Sequence, residues 1–424
     1  MKRILFITPQ PFFTERGSPY RVRTELEALV SSGYEVDLLS YPFGRDIDLQ
    51  GVHFFRSAAL PWIKTVRIGW SWNKLILDVF LFFSAVRLLL QKKYDVVHGI
   101  EEAGIMACIF SLLFKISYVY DMHSHMSEQL SQCVIKPEGM LFKIFSKIEN
   151  FCMRRASGIV TVSDFITARI RNLAPATPVI TLEDLPLEMA SQSNSSGIQE
   201  ILSRYELQDY VRIVYTGNFE PYQGVDLLLE AFASLKNSNP GFFQKTKLII
   251  VGGGDETDER FQYYVAATKK LNIAEQVVFA GQQDENNVGN FLALSDILVS
   301  PRIAGAHTPL KIYSYILAKK PILATAITAH TNVLSNSNSF LAESDPNAFA
   351  KVMNELIELV SGPNIEILIK KVTEATKLLE NKYNKTEFNK KLAKLYFAIF
   401  DMNLRNSFYS EDFLQQKSAL KSRG

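Results

Sequence analysis

Short apolar runs alternate with helix-patterned segments along nearly the whole chain, and this rhythm restricts the fold more than any single residue does. RILFIT (residues 3–8) runs into PQPFFTERGSPYR, a loop carrying Gly17 and Ser18. From Tyr20 the pattern VRTELEALVSSG predicts a helix ended by Gly33, and YEVDLLSY predicts the next strand. The order repeats through YDVVHGI, EEAGIMACIFSLLFK and ISYVYDMH, then through SGIVTVS and PVITLEDLP. Strands this short and continuously apolar fit a parallel sheet covered by helices on both faces, the doubly wound α/β arrangement.

At 424 residues the chain exceeds one ordinary core. The polar segment MASQSNSSGIQE interrupts the rhythm and reads as a linker, and VRIVYTGNF then restarts it with KLIIVGGG, QVVFAG, DILVSP and ILAT as further strands. The expected organisation is an N-terminal Rossmann-like domain at 1–188, a linker at 189–200 and a C-terminal Rossmann-like domain at 201–385. A C-terminal helix at 386–404 and a polar tail at 405–424 follow. The expected fold class is α/β, two Rossmann-like domains facing a cleft, with ligands at the carboxyl ends of the strands.

A formal net charge of +2 gives no broad basic face and argues against a nucleic-acid binder. Cys108, Cys133 and Cys152 have neither metal-ligand spacing nor an even count, which fits structural thiols in a reducing compartment. LILDVFLFFSAVRLLL, Leu75 to Leu90, contains Asp78 and Arg87 and falls short of the roughly 20 apolar residues that cross a bilayer. It reads either as a helix packed on a sheet or as a shallow membrane insertion helped by Trp62, Trp70, Trp72, Lys64, Arg67 and Lys74.

GAHTPLKIYSYILAKKPILAT, Gly305 to Thr325, concentrates anion-binding signals. Thr308 is the expected N-cap and Pro309 the expected first helical residue. The free N–H groups of Leu310 and Lys311 beside the Lys311 ammonium make a phosphate site, the alternative being a well-capped surface helix. GGGDET, with Gly252, Gly253 and Gly254, lacks the later glycine of a dinucleotide fingerprint, which weakens a dehydrogenase reading.

In order and spacing, these segments with VYDMHS, YTGNFEPYQGVDLLLEAF and TPLKIYSYILAKKPILAT resemble family 4 of the nucleotide-sugar glycosyltransferases, which have the GT-B architecture. The resemblance implies hexosyl transfer from a nucleotide-sugar donor on the C-terminal domain to a lipid-linked or glycan acceptor on the N-terminal domain. It further implies retention, no metal or other cofactor, a last helix crossing back to the first domain, and a role in cell-envelope polysaccharide synthesis. The expected location is cytoplasmic, peripheral on the inner face of the membrane.

Carried over by position, His123 and Lys311 are the catalytic candidates. The donor-binding candidates are Gly17, Ser18, Gly217, Asn218, Gln223, Gly224, Gly253, Gln282, Arg302, Thr308, Pro309, Leu310 and Ser314. Ala306 and Ser314 stand where family members typically carry two glutamates, and Asn218 and Gln223 stand where an arginine and a lysine face the diphosphate. Lys311 and the helix start around Thr308 are the expected compensation, with Arg302 a second candidate, and TPLKIYSY resembles a variant subgroup of the family.

Glu101 and Glu102, and with them Glu183 and Asp184, read as solvated carboxylates, the alternative being acceptor binding or a base in an inverting mechanism; His98, His125 and His307 rank below His123. The competing reading is a catalytically degenerate GT-B protein that binds nucleotide or a partner without turnover. An epimerase or phosphorylase on the same architecture has no matching residues.

Overall fold

Seven strands form an all-parallel sheet in the first part of the chain: β1 (Arg3–Thr8), β2 (Glu35–Ser40), β3 (Val52–Arg56), β4 (Val96–Ile100), β5 (Ser117–Met122), β6 (Gly158–Thr161) and β7 (Val179–Thr181). Their spatial order is β3-β2-β1-β4-β5-β6-β7. The second sheet contains β8 (Val211–Thr216), β9 (Thr246–Val251), β10 (Val277–Gly281), β11 (Ile297–Ser300), β12 (Ile322–Thr325) and β13 (Phe340–Ala342), in the order β10-β9-β8-β11-β12-β13. The structure, a computed structural model, describes residues 1–14, 17–64, 66, 71–123, 139–186, 193–305 and 307–401, with backbone only at 285 and 286. Ala306, Trp70, Arg67, His125, Cys133 and the expected tail therefore lie outside the described residues.

The two sheets belong to separate compact units. One comprises Met1–Glu183 and the segment from Lys385; the other is Asp184–Asn384. Each is an α/β Rossmann-like domain, the expected fold class. The central strands are apolar because helices cover both sheet faces: Ile4, Leu5, Phe6 and Ile7 in β1, and Ile213, Val214 and Tyr215 in β8, are all fully buried. In each sheet the connections reverse direction at one place, between β1 and β4 and between β8 and β11. A doubly wound sheet binds ligands at the carboxyl ends of the strands there.

Three expectations about local structure change. The expected linker at 189–200 is helical from Ser195 in a helix reaching Arg204. Asn194 caps it by accepting from the Gly197 N–H at 2.6 Å, and Ile201 and Leu202 are buried on the second unit's core. Gly17 and Ser18 are not a loop; they open the helix Gly17–Ser31. β3 arises where the pattern predicts no strand. It is the sheet's edge, so His53 is exposed and Phe54, Phe55 and Arg56 are half-buried, which blurs the apolar run.

The helix Lys385–Phe400 packs on the helix Gly17–Ser31 of the first unit. It buries Leu395 under Gly158 and Tyr396 beside His98.

Candidate functional site

In the second unit, most of the expected donor residues meet where β8 and β11 end side by side. The helix Leu310–Leu317 is bolted there by Tyr315, whose fully buried hydroxyl accepts from the Thr216 N–H at 2.9 Å and donates to the Val299 carbonyl at 3.3 Å. Lys311 lies one turn before Tyr315 on the same helix face, so the bolt also sets the lysine's position. Its ammonium sits 4.1 Å above the Tyr215 ring centroid and donates to Gln223 Oε1 at 3.1 Å. Burial, with Arg302 nearby, pulls Lys311 down to about 7.

The glycines here are steric requirements. Gly217 has φ +149°, and a Cβ on it would stand 2.6 Å from the Lys311 Nζ. Gly224 has φ +71°, and a Cβ would stand 2.0 Å from the Pro301 carbonyl oxygen. Gly224 begins the helix Val225–Ser238 without a side-chain cap, and the helix at Leu310 likewise has none. Two helix starts with unspent amides thus accompany Lys311, an arrangement suited to an anion.

The expected cap shifts by one residue. Pro309, with ψ 139°, is the cap and Leu310 the first helical residue; Thr308, buried before it, makes no capping bond. Proline fixes φ at a value common to helix and extended chain, and here ψ is extended. Pro309 instead offers its carbonyl to the Ile312 N–H at 2.9 Å.

Arg302 packs its guanidinium 4.9 Å from the Tyr222 ring centroid and donates to the Ala304 carbonyl at 2.7 Å. Asn218 turns its amide oxygen back to the Glu220 N–H at 3.3 Å, while its carbonyl accepts from Tyr215. Gln223 and Ser314 are buried. Gly253 makes room for Phe219, whose ring would lie 2.2 Å from a Cβ, and Gln282 is exposed with its N–H bonded to the Gly254 carbonyl at 2.9 Å. Both stand at the neighbouring strand ends, after β9 and β10.

His330 was not among the candidates. It is fully buried, lies 2.8 Å from both the Ser300 hydroxyl and the Thr325 carbonyl, and so ties the end of β11, just before Arg302, to the end of β12. Burial lowers it to about 4, so it is a neutral brace. A single histidine in TAHTN carries no sequence signal for this role. His307 pairs with Asp184 at 3.1 Å.

In the first unit, His123 follows β5 and is 18% exposed; its Nε2 lies 3.7 Å from the buried Asp121 carboxylate. Burial works against the imidazolium, but Asp121 outweighs it and holds His123 above the ordinary imidazole value. Glu101, after β4, has φ 51° and ψ −123°, an uncommon backbone for a residue with a side chain, and burial raises its carboxyl to about 7. Lys74, a cation of the membrane-insertion alternative, is paired with Glu102. Gly17 and Ser18 supply the opening amides of their helix.

Glu25, His98 and Asp121 bring three potential ligand atoms within 4.8 Å of one another. Arg21 already supplies positive charge there, 2.9 Å from Glu25 and 3.9 Å from Asp121, so the group is a buried ion network and not a metal centre. Cys108 and Cys152 are buried free thiols.

These sites define two Rossmann-like units, one with an anion-ready lysine and helix starts, the other with a carboxylate-held histidine. Residues 16–181 match the model described as Glycosyltransferase Family 4, and residues 210–359 match that described as Glycosyl transferases group 1. A phosphatidyl-myo-inositol mannosyltransferase of Mycobacterium leprae is 23% identical over 338 residues, covering 78% of this chain and 80% of that protein. The fold is similar to a sucrose-phosphate synthase from Thermosynechococcus elongatus, with a TM-score of 0.74 at 17% identity over 94% of this chain and 99% of that one. HepE of Anabaena, in complex with UDP, gives 0.69 at 15% identity over 94% and 100%. The chain belongs to the family 4 glycosyltransferases and has their GT-B architecture.

Proposed function

We propose that this glycosyltransferase moves a hexosyl unit from a nucleoside-diphosphate sugar on the second unit to a lipid-linked or glycan acceptor on the first, with retention and without a metal. The observation that carries the donor assignment is Lys311, seated against Gly217 beside two uncapped helix starts. With Asn218 and Gln223 neutral, Lys311, with Arg302 nearby, is the cation that faces the diphosphate, and Gln223 accepts from it where a second lysine would repel it. Burial strengthens the lysine's attraction to phosphate once the donor displaces water. HepE has been solved with UDP and with UDP-glucose, which favours a uridine donor here as well. His123 holds the sugar and the departing diphosphate helps deprotonate the acceptor.

A thermal-shift panel of UDP, GDP, ADP, CMP and polyprenyl phosphate tests the donor class. One nucleoside diphosphate should raise the melting temperature by several degrees, by about 2–4 °C for each kcal/mol of binding in a unit of the size of Asp184–Asn384. No shift with any diphosphate would remove the reading. A shift without transfer from any sugar derivative would favour the degenerate alternative.

The acceptor reading includes a membrane surface. On the helix Trp72–Gln91, Leu77, Leu81 and Ala85 are buried, whereas Trp72, Leu75, Val79 and Phe83 are exposed, so one face packs and the other does not. The helix Met140–Arg155 adds exposed Leu141, Ile144, Ile148 and Phe151 between exposed Lys143, Lys147, Arg154 and Arg155. Among the described residues no helix is long and apolar enough to cross a membrane. An apolar stripe with flanking cations instead suits the surface of an anionic bilayer. Binding to anionic vesicles in a flotation assay should therefore weaken by about a hundredfold or more in the variant W72S/F83S, since two exposed aromatics contribute on the order of 1.5–3 kcal/mol each. Equal flotation of variant and parent would defeat the membrane assignment.

A further inference from the structure

Polar side chains from four separate segments meet in the core of the first unit and end at His123. The Tyr396 hydroxyl, on the helix Lys385–Phe400, lies 2.7 Å from His98 Nδ1 at the middle of β4. The opposite ring nitrogen, His98 Nε2, lies 3.6 Å from Asp121 and 3.7 Å from Glu25. Asp121 in turn lies 3.7 Å from His123 Nε2. Tyr396, His98, Asp121 and Glu25 have no exposure to solvent, and Arg21 closes the network by donating to the Leu182 carbonyl at 2.6 Å.

This geometry assigns the protons. His98 Nε2 faces two carboxylates and must carry a hydrogen, because a lone pair there would repel both. Burial keeps the ring neutral, so Nδ1 is bare and accepts the Tyr396 hydroxyl. The same burial keeps Tyr396 protonated, hence a donor at every accessible pH. His98 and Arg21 then hold the Asp121 carboxylate in place, and that carboxylate lies 3.7 Å from His123 Nε2.

We propose that Tyr396, His98 and Asp121 are positioning residues for His123: the tyrosine fixes the histidine tautomer, the histidine fixes the carboxylate, and the carboxylate keeps the part-buried imidazole protonated and oriented. The inference rests on the reading of His123 as the group that holds the transferred sugar. It gives the C-terminal helix a part in the chemistry, since its tyrosine sets the state of a residue at the strand ends. Among the described residues, the charged groups acting on His123 are Asp121 on β5, Glu101 after β4, and Arg21 on the helix Gly17–Ser31. Arg21 opposes the imidazolium, and Asp121 and Glu101 favour it.

The test is the pH titration of the His123 ring in full-length protein carrying 13C-histidine, assigned with H123N, alongside the pH profile of kcat/KM. Asp121→Asn should lower the His123 midpoint by about one pH unit or more, the effect of removing a near opposite charge. Tyr396→Phe should lower it by about half a unit through the freed His98 tautomer. The alkaline limb of kcat/KM should move by the same amounts, whereas a purely structural role would lower stability and leave the midpoint in place. Midpoints unchanged within about 0.2 in both variants would overturn the proposal, as the near charge is worth far more; if D121N does not fold, Y396F decides alone. Shifted midpoints in a protein that transfers no sugar would keep the relay and sink the transferase reading. Active transfer with fixed midpoints would do the reverse.

Discussion

Replacing Lys311 by alanine will lower kcat/KM for the nucleotide sugar by about two orders of magnitude while the fold stays intact. The ammonium is the cation placed over Tyr215 and against Gly217, and a charge-assisted hydrogen bond to a diphosphate contributes roughly 1.5–3 kcal/mol. Where charge builds on the leaving diphosphate the contribution rises further, so kcat falls along with donor affinity. Stability will move the other way. Lys311 is held near 7, well below an ordinary lysine, so the native state resists the proton that the unfolded chain binds readily. The parent is therefore handicapped below pH 7 and gains stability as pH rises from 7 toward the unfolded value. K311A escapes that handicap and should melt higher than the parent at pH 6. Undiminished kcat/KM, measured with the nucleotide sugar that the thermal panel selects, would end the case for Lys311; a collapse of the melting temperature would show it to be a structural residue.

The strands were legible because a parallel sheet covered on both faces admits few polar residues, and those only with partners, as at His98 and Asp121, so each central strand prints itself as a mostly apolar run. Where that condition lapses, legibility lapses too. β3, at the sheet edge, is half-exposed and its run is mixed. The helix Ser195–Arg204 looked like linker because serine and glycine fill its first turn, while its anchors, Ile201 and Leu202, come only in its second half.

The donor site was legible as far as local signals reach. Pro309, Leu310 and Lys311 announce a helix start with a cation, although extended backbone at Pro309 moved the cap by one residue. Contacts distant in the chain left no such trace. Tyr315 reaches Thr216, and Tyr396 reaches His98 across 298 residues. Each reads locally as one more apolar position on a helix, and only the hydroxyl's partner distinguishes a bolt from packing. For the same reason His98 ranked below His123: β4 looks like any buried strand until the C-terminal helix supplies its partner.

Donor affinity should fall about tenfold for each pH unit above 7, because a diphosphate binds the ammonium form of Lys311 and that form is depleted above its midpoint near 7. The sign follows from the shift: burial and Arg302 disfavour the proton in the free protein, while a bound dianion favours it, so binding above pH 7 takes up a proton. Titration calorimetry of the selected nucleotide at pH 6 to 9, in buffers of different ionisation enthalpy, should report an uptake approaching one proton at pH 8. The nucleotide's own phosphate ionisation pushes affinity the other way and is common to all variants, so K311A supplies the subtraction. In that variant affinity should be low but no longer fall above pH 7. Lys311→Arg keeps its charge throughout the range and should lose the slope while retaining more of the affinity. A parent slope no steeper than that of K311A would mean that Lys311 does not titrate on binding. The donor phosphate would then be held by groups that do not titrate in this range, the helix starts at Val225 and Leu310 and the Arg302 guanidinium.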